Sequence, residues 1–144
     1  MYKIYLDNCC YNRPFDEQTQ IRIQMETMAK LHIQAQVKKG VYRLVWSYIL
    51  DYENARNPYE DKRAAILPWR YIAAETVSRE NEAILALAER LQADGIKPYD
   101  ALHVSCAVYA GCDYFLTTDR RLERLQIPQI KIRNPVTFLH ELEG

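Results

Sequence analysis

The chain has 144 residues, of which 49% are apolar and 26% are charged, and its 19 basic residues balance 19 acidic ones. This composition argues against a disordered chain, and no apolar run approaches the ~18–20 residues that a membrane-spanning helix needs. The zero net charge argues against binding nucleic acid through the overall charge of the protein, although a local cluster of basic residues could still bind it. The length predicts a single domain over residues 1–144.

The first half of the chain predicts short strands that alternate with helices. Residues 2–6 form an apolar run typical of a buried strand, and the following stretch without Gly or Pro indicates helix. Ser47 stands where a helix N-cap is expected. In chain order, the predicted elements are a strand at 2–6, one or two helices from Phe15 to Lys39, a strand at 43–46, a helix from Ser47 to about Arg56, and a helix from near Pro58 that Pro68 interrupts.

The second half continues the same alternation. Its elements are an amphipathic helix from Arg79 to Asp94, an apolar helix from Pro98 to Gly111, a strand within 113–119, a helical turn after Asp119, a strand at 130–132 and a terminal helix from Pro135. Strands that alternate with helices are typical of a parallel sheet with helices on both faces. In such folds, ligands bind beyond the carboxyl ends of the strands, where the strand order reverses.

The long helix before Lys39 has apolar residues on two sides. One face carries Ile21, Met25, Met28, Leu31 and Ala35, and this spacing indicates an amphipathic helix. A second side carries Ile23, Ile33 and Val37. We expect the extra side to be either more deeply buried or the surface for a second copy of the chain or for another protein.

Four cysteines occur in the chain without any C-x-x-C pair. Cys9 and Cys10 are adjacent, so their side chains diverge and cannot easily serve one tetrahedral metal site. Cys106 and Cys112 lie on or near the apolar helix and are typical of small core residues. Because the first residues already form a strand pattern rather than a secretory leader, we expect free thiols and a cytoplasmic protein.

Four acids are expected to meet at one edge of the sheet. Asp7 follows the first strand, and Asp119 ends the strand "YFLTT". Asp100 lies in the first turn of the apolar helix, and Glu53 lies on the helix that follows the second strand. Carboxylates that converge repel one another, and a hard cation such as Mg²⁺ or Mn²⁺ relieves that repulsion. This arrangement suits hydrolysis of a phosphodiester.

Four stretches of the sequence resemble the PIN domain family, and the resemblance runs over nearly the whole chain. They are "IYLDNCCYNRPFD", "WSYILDYE", "KPYDALHVSCAVYAGCDYFLTTDRRL" and "NPVTFL". The resemblance implies an α/β fold, a three-layer α/β/α sandwich with a central parallel sheet. Characterised members of the family are mostly Mg²⁺- or Mn²⁺-dependent ribonucleases, and many are the toxin halves of VapC-type toxin–antitoxin pairs.

The resemblance also assigns residues to the site. The family's four acids fall on Asp7, Glu53, Asp100 and Asp119, as catalytic metal ligands. Asn8 and Thr118 match polar positions that support the site, and we expect Asp113 to support it as well. Glu53 is preferred to Asp51, which stands two residues earlier on the same helix and would face elsewhere.

The remaining polar residues near these acids allow two interpretations each. Arg13 follows the first acid, and Arg120 and Arg121 follow the last, so they are either solvated surface charge or phosphate contacts with RNA. His103 stands three residues after Asp100, a spacing that would allow joint metal ligation. The sequence favours a buried histidine that is hydrogen-bonded locally.

The sequence therefore predicts a metal-dependent endoribonuclease that leaves a 3′-hydroxyl and a 5′-phosphate, as the resemblance implies. Its expected partners are RNA, a small antitoxin and a second copy of the chain, and its expected role is that of a toxin. The main alternative is a degenerate domain that binds RNA or protein without cutting. A phosphatase or a structure-specific DNA nuclease is less favoured than these two functions, because the chain has no obvious inserted segment for binding branched DNA.

Overall fold

The computed structural model describes residues 1–144 and contains five strands and nine α-helices. The strands are β1 (Lys3–Leu6), β2 (Arg43–Ser47), β3 (Glu75–Val77), β4 (Tyr114–Leu116) and β5 (Lys131–Arg133). The helices are α1 (Asn8–Asn12), α2 (Ile21–Lys38), α3 (Tyr48–Ala55), α4 (Glu60–Ile66), α5 (Pro68–Ile72), α6 (Glu82–Ala93), α7 (Pro98–Tyr109), α8 (Arg120–Glu123) and α9 (Pro135–Glu143). None of the helices has the length and hydropathy needed to cross a bilayer.

The five strands form one parallel sheet in the order β3-β2-β1-β4-β5. The strand β1 is central, and its Ile4 is in register with Leu44 of β2 on one side and Tyr114 of β4 on the other. The chain moves outward from β1 to β3 and then crosses back to β4, so the strand order reverses beside β1. The carboxyl end of β1 is therefore where a ligand crevice is expected.

Helices cover both faces of the sheet. Right-handed crossovers place the helices between β1 and β3 on one face and α6 and α7, which lead back to β4, on the other. The three inner strands are mostly buried between these layers, with Tyr5, Trp46 and Phe115 fully inaccessible to solvent. The predicted α/β/α sandwich with a parallel sheet is confirmed.

Two helix starts show how local sequence sets the boundaries. The hydroxyl of Ser47 accepts a hydrogen bond from the N–H of Leu50 at 3.3 Å and caps α3, as its position predicted. The helix α6 starts later than predicted, because the side chain of Asn81 accepts from the N–H of Ile84 at 3.0 Å and caps the helix there.

The edge strand β3 was not predicted. It has only three residues, of which Val77 alone is buried, so it carries almost no hydrophobic pattern. Its position comes from backbone pairing with β2, and the N–H of Ala74 already donates to the carbonyl of Leu44 at 2.9 Å. A strand that depends on its neighbour in this way has no local signal in the sequence.

The side of α2 that carries Ile33 and Val37 faces the core of the protein. Its buried residues are Glu26, Ala29, Lys30, Ile33, Gln34 and Val37. The residues Ile21, Met25, Met28 and Leu31 are instead 49–74% exposed. We call this group the exposed α2 face. Of the two alternatives predicted for the second side of the helix, deeper burial is confirmed, because Ile33 and Val37 are both buried.

Candidate functional site

Asp7 occupies the carboxyl end of the central strand. Its N–H donates to the carbonyl of Leu116 at 2.9 Å, which continues the pairing of β1 with β4 by one residue. Asp7 is 5% exposed. Its side chain accepts a hydrogen bond from the N–H of Asn8 at 2.8 Å and so caps α1. A buried carboxylate at a strand end must be satisfied by such donors or by a cation.

The hydroxyl of Thr117 links two of the acids. It donates to Oδ2 of Asp7 at 2.9 Å and accepts from the N–H of Asp119 at 3.1 Å. Asp119 in turn accepts from the N–H of Arg121 at 2.8 Å and caps α8. The positions of the two acids are therefore coupled through one fully buried side chain.

Thr117 has the supporting role that was predicted for Thr118, and it was not predicted. The carbonyl of Thr118 accepts from Nη2 of Arg22 at 2.8 Å, and its N–H donates to Sγ of Cys9 at 3.3 Å. Two adjacent residues at the end of a strand point to opposite sides of the sheet. Counting outward from the buried strand could have identified Thr117 as the residue that shares a side with the acids.

Asp100 approaches the same place from the first turn of α7. No hydrogen bond satisfies its half-buried carboxylate. Burial, followed by the negative charges of Asp7 and Asp119, raises the pKa of Asp100 to about 6. Three carboxylates from two strand ends and one helix therefore lie close enough together to raise one another's energy when they are all charged.

Glu53 reaches the site from α3 and is held by two partners. The side chain of Asn8 donates to its Oε2 at 3.2 Å, and Nε2 of His103 hydrogen-bonds its Oε1. Asp51 points away, because it accepts from Nε1 of Trp46 at 2.8 Å and pairs with Arg70. The structure thus separates Glu53 from Asp51 and brings Asn8 into the site.

His103 is buried, and its hydrogen bonds are long-range rather than local as expected. Its Nδ1 is 2.6 Å from the hydroxyl of Tyr5, which is 2.6 Å from the hydroxyl of Ser47, while its Nε2 contacts Glu53 and is 3.9 Å from Asp7. Burial lowers the pKa of His103, but the bond to Glu53 and the charge of Asp7 outweigh it, so the pKa is raised. The Nε2 atom of His103 is therefore the ring nitrogen that faces the acids.

Two of the residues predicted to lie at the site have different surroundings. Asp113 precedes β4 and accepts from the N–H of Lys3, so it lies at the opposite edge of the sheet from the acids. Arg13 pairs with Glu26 and Asp16 at 2.8–2.9 Å and is only 17% exposed, so its charge is already used inside the protein.

The arginines after the last acid remain available. Arg120 and Arg121 are both exposed beside Asp119, and the hydrogen bond between Arg121 and Asp119 uses the backbone N–H rather than the guanidinium group. These two side chains are the ones that the structure leaves open to contact a phosphate at this edge.

All four cysteines are free thiols, as predicted. The Sγ of Cys9 lies 3.4 Å from Oδ2 of Asp7, and Cys10 donates to the carbonyl of Leu116. Burial raises the pKa of both Cys106 and Cys112 to about 12, so these thiols stay protonated. A protonated, buried thiol is not a nucleophile.

The acids fit a hard cation that keeps part of its water shell. No three His, Cys, Asp or Glu side chains stand close enough together to enclose a metal ion. The oxygens of Asp7, Asp100 and Asp119 nevertheless share one edge, and no lysine or arginine side chain pairs with them. Mg²⁺ is commonly held by one or two carboxylates, with water and substrate phosphate as its other ligands. The oxygen-only donor set therefore suits Mg²⁺ or Mn²⁺.

Comparison with known families gives one match. The model of the family described as "PIN domain" matches residues 4–128, a range that contains all four acids. No curated protein matches the chain.

Proposed function

The chain belongs to the PIN domain family, whose members are generally nucleases that use divalent metal ions, and we propose that this member is a Mg²⁺- or Mn²⁺-dependent endoribonuclease. The observation that carries the proposal is the meeting of Asp7, Asp100 and Asp119 at the switch point of a parallel sheet. A divalent ion, when bound, would neutralise charge on the scissile phosphate and lower the pKa of the attacking water.

The protein's own residues would hold and orient the reacting groups. Asp7, Asp100 and Asp119 would provide the metal ligands, and Thr117 fixes Asp7 relative to Asp119. Residues that orient a ligand in this way commonly change metal affinity or activity about 10- to 100-fold when they are replaced.

Glu53 would be oriented by a hydrogen bond from Nε2 of His103. When Nε2 of His103 donates to Oε1 of Glu53, Nδ1 can accept from the hydroxyl of Tyr5, and the hydroxyl of Ser47 can donate to Tyr5. This assignment satisfies each buried group in the chain of hydrogen bonds. The resulting fixed ring holds Glu53 beside Asn8, so that one carboxylate oxygen can contact a metal ion or a water molecule.

A cleavage assay tests the proposal. Wild-type protein with Mn²⁺ should cut a labelled RNA, EDTA should abolish the cleavage, and Asp7→Asn should reduce it by about 100-fold or more. Asp113→Asn is the matched control, because Asp113 is an exposed carboxylate at the opposite edge of the sheet and should tolerate the change. Cleavage that survives EDTA, or that is unchanged in Asp7→Asn, would contradict the metal mechanism.

The physiological role that we propose is that of a toxin held inactive by a small antitoxin. Support comes from the family resemblance and from the exposed α2 face, because clusters of exposed apolar residues often mark protein–protein contact sites. The groove between α2 and α9 continues this face through Val136 and Leu139. Expression of the wild-type chain alone should arrest bacterial growth, and Asp7→Asn should relieve the arrest. The same face could instead pair two copies of the chain, which sedimentation analysis would reveal.

One observation favours the alternative of a domain that binds RNA without cutting. Glu53 is engaged by His103, and no three side chains enclose an ion. A non-cutting domain would bind RNA equally well in wild type and Asp7→Asn, and would leave the RNA intact with Mn²⁺.

A further inference from the structure

Two exposed tyrosines stand directly beside the acids. Tyr52 precedes Glu53 on α3, and Tyr99 precedes Asp100 on α7. Their rings are stacked, with centroids 5.6 Å apart and an interplanar angle of 29°, and their hydroxyls are 3.2 Å apart. Tyr52 is 38% exposed and Tyr99 is 49% exposed. We call these two residues the tyrosine pair.

The chain has other exposed tyrosines, which are Tyr2, Tyr59, Tyr71 and Tyr109. The tyrosine pair differs from them because its two rings stack on each other and each directly precedes an acid of the site. The guanidinium of Arg56 lies 4.2 Å from the centroid of the Tyr52 ring. Because Arg56 covers Tyr52, the open aromatic surface of the pair is mainly that of Tyr99.

The tyrosine pair forms one wall of a cleft of about 490 Å³. The cleft lies between α3, α7 and the segment after β3, and the residues that line it besides the pair are Tyr48, Ile49, Ser78, Arg79, Glu80 and Leu102. Its volume is in the range of sites for small organic groups. The opposite charges of Arg79 and Glu80 cancel, so aromatic and apolar contact dominates this wall.

We propose that the tyrosine pair is a stacking platform for an unpaired base of single-stranded RNA beside the scissile phosphate. The inference rests on the proposed function and names the substrate class of that same acidic site. Aromatic rings bind bases of any sequence, because every base has a π-face. In a duplex the base faces are covered by their neighbours, so a platform of this kind selects single strands, loops and ends.

The position of the pair in the sequence links stacking to cleavage. Each tyrosine is adjacent to an acid on a rigid helix, so a base on the platform would hold its own phosphates near Asp100 and Glu53. The positive charge of Arg56 beside Tyr52 would attract the RNA backbone at this end of the site. A pair that served only to join α3 to α7 would not distinguish single-stranded from double-stranded RNA.

Binding measurements in the Asp7→Asn background test the platform without interference from cleavage. Fluorescence anisotropy with Mg²⁺ present would compare a short labelled single-stranded RNA with the corresponding duplex. Tyr99→Ala and Tyr99→Leu should each weaken single-strand binding by about tenfold or more, while Tyr99→Phe, which keeps the ring, should stay within about twofold. Duplex binding should not change.

Tyr109→Ala is the matched control, because Tyr109 is 56% exposed on the same helix. It lies about 15 Å farther along α7 than Tyr99, at a rise of ~1.5 Å per residue, and its replacement should leave RNA binding unchanged. Urea denaturation of each variant would verify that the fold is retained.

The outcomes separate this inference from the proposed function. Unchanged single-strand binding in Tyr99→Ala, an equal loss for duplex and single strand, or no binding of single-stranded RNA would each overturn the platform. Cleavage of RNA by the wild type is measured separately, so the nuclease proposal could survive that result. Conversely, a Tyr99-dependent preference for single strands without any Mn²⁺-dependent cleavage would support the platform and refute the nuclease.

Discussion

Replacing Asp100 with asparagine should stabilise the metal-free protein at neutral pH. The carboxylate of Asp100 is half buried, has no hydrogen bond, and faces the charges of Asp7 and Asp119. In the absence of a cation, the folded protein must hold this negative charge in an unfavourable place. Asparagine has nearly the same shape and no charge, so the variant avoids that cost.

The size of the effect follows from the pKa of Asp100, which rises from 3.8 to about 6 on folding. A shift of about two units at ~1.36 kcal/mol per unit gives an upper bound near 3 kcal/mol. Partial exposure to solvent screens the charge, so the expected gain is about 1–2 kcal/mol. At a pH well below the unfolded pKa of 3.8 the carboxyl group is protonated in both the folded and the unfolded state, and the difference between wild type and variant should vanish. The difference develops as the pH rises from the unfolded pKa to about 6, because the unfolded chain loses this proton first, and it is complete once the folded wild type has lost it too.

Urea denaturation in EDTA at pH 4 and pH 7 would measure the difference in the free energy of unfolding. Asp113→Asn is again the control, and it should show no such gain. With Mn²⁺ added at pH 7, the wild type should gain stability by mass action and Asp100→Asn should gain much less. A variant that is no more stable than wild type at pH 7, or equally stabilised at pH 4, would refute the reasoning.

Two further predictions concern the residues that hold the acids. Thr117→Val removes the hydroxyl between Asp7 and the backbone of Asp119, so Mn²⁺ affinity measured by calorimetry should fall about 10- to 100-fold, whereas Thr118→Val should change it little. His103→Leu leaves buried polar partners unpaired and should lower the free energy of unfolding by about 1–3 kcal/mol, measured in urea; unchanged stability would show that those bonds contribute nothing.

The sequence was informative where the cause of a structure is local. Ser47 could be recognised as a cap because its hydroxyl satisfies an N–H three residues away. Asp7 could be placed at a strand end because a short apolar run stops at it, and Asp119 follows closely after the apolar run of β4, since parallel strands share one carboxyl edge. These signals lie within a few residues of the feature that they predict.

Prediction from local sequence failed where the structure depends on a partner that is distant in the chain. The edge strand β3 exists only because β2 lies beside it. His103 was expected to bond within its own helix, but its partners, Tyr5 and Glu53, come from β1 and α3. Contacts of this kind join residues that the chain separates by tens of positions, and no local pattern marks them.

The orientation of α2 shows how a buried ion pair overrides a hydrophobic pattern. Glu26 is 1% exposed and is satisfied by Arg13 and Asn134, which lie outside α2, so turning the helix to bury the exposed α2 face would break both of these contacts. Removing one partner from such a network destabilises a folded protein by more than the burial of one apolar side chain stabilises it.

This network also determines which arginines can reach RNA. Arg13 is committed to Glu26, and Arg22 supports the carbonyl of Thr118 behind the acids. Phosphate contacts on the α8 side are therefore left to Arg120 and Arg121, which directly follow Asp119. Base stacking would come through α7, from a residue that directly precedes Asp100. An RNA strand that uses both groups must pass over the acids, so the two sets of contacts would place its backbone at the site of cleavage.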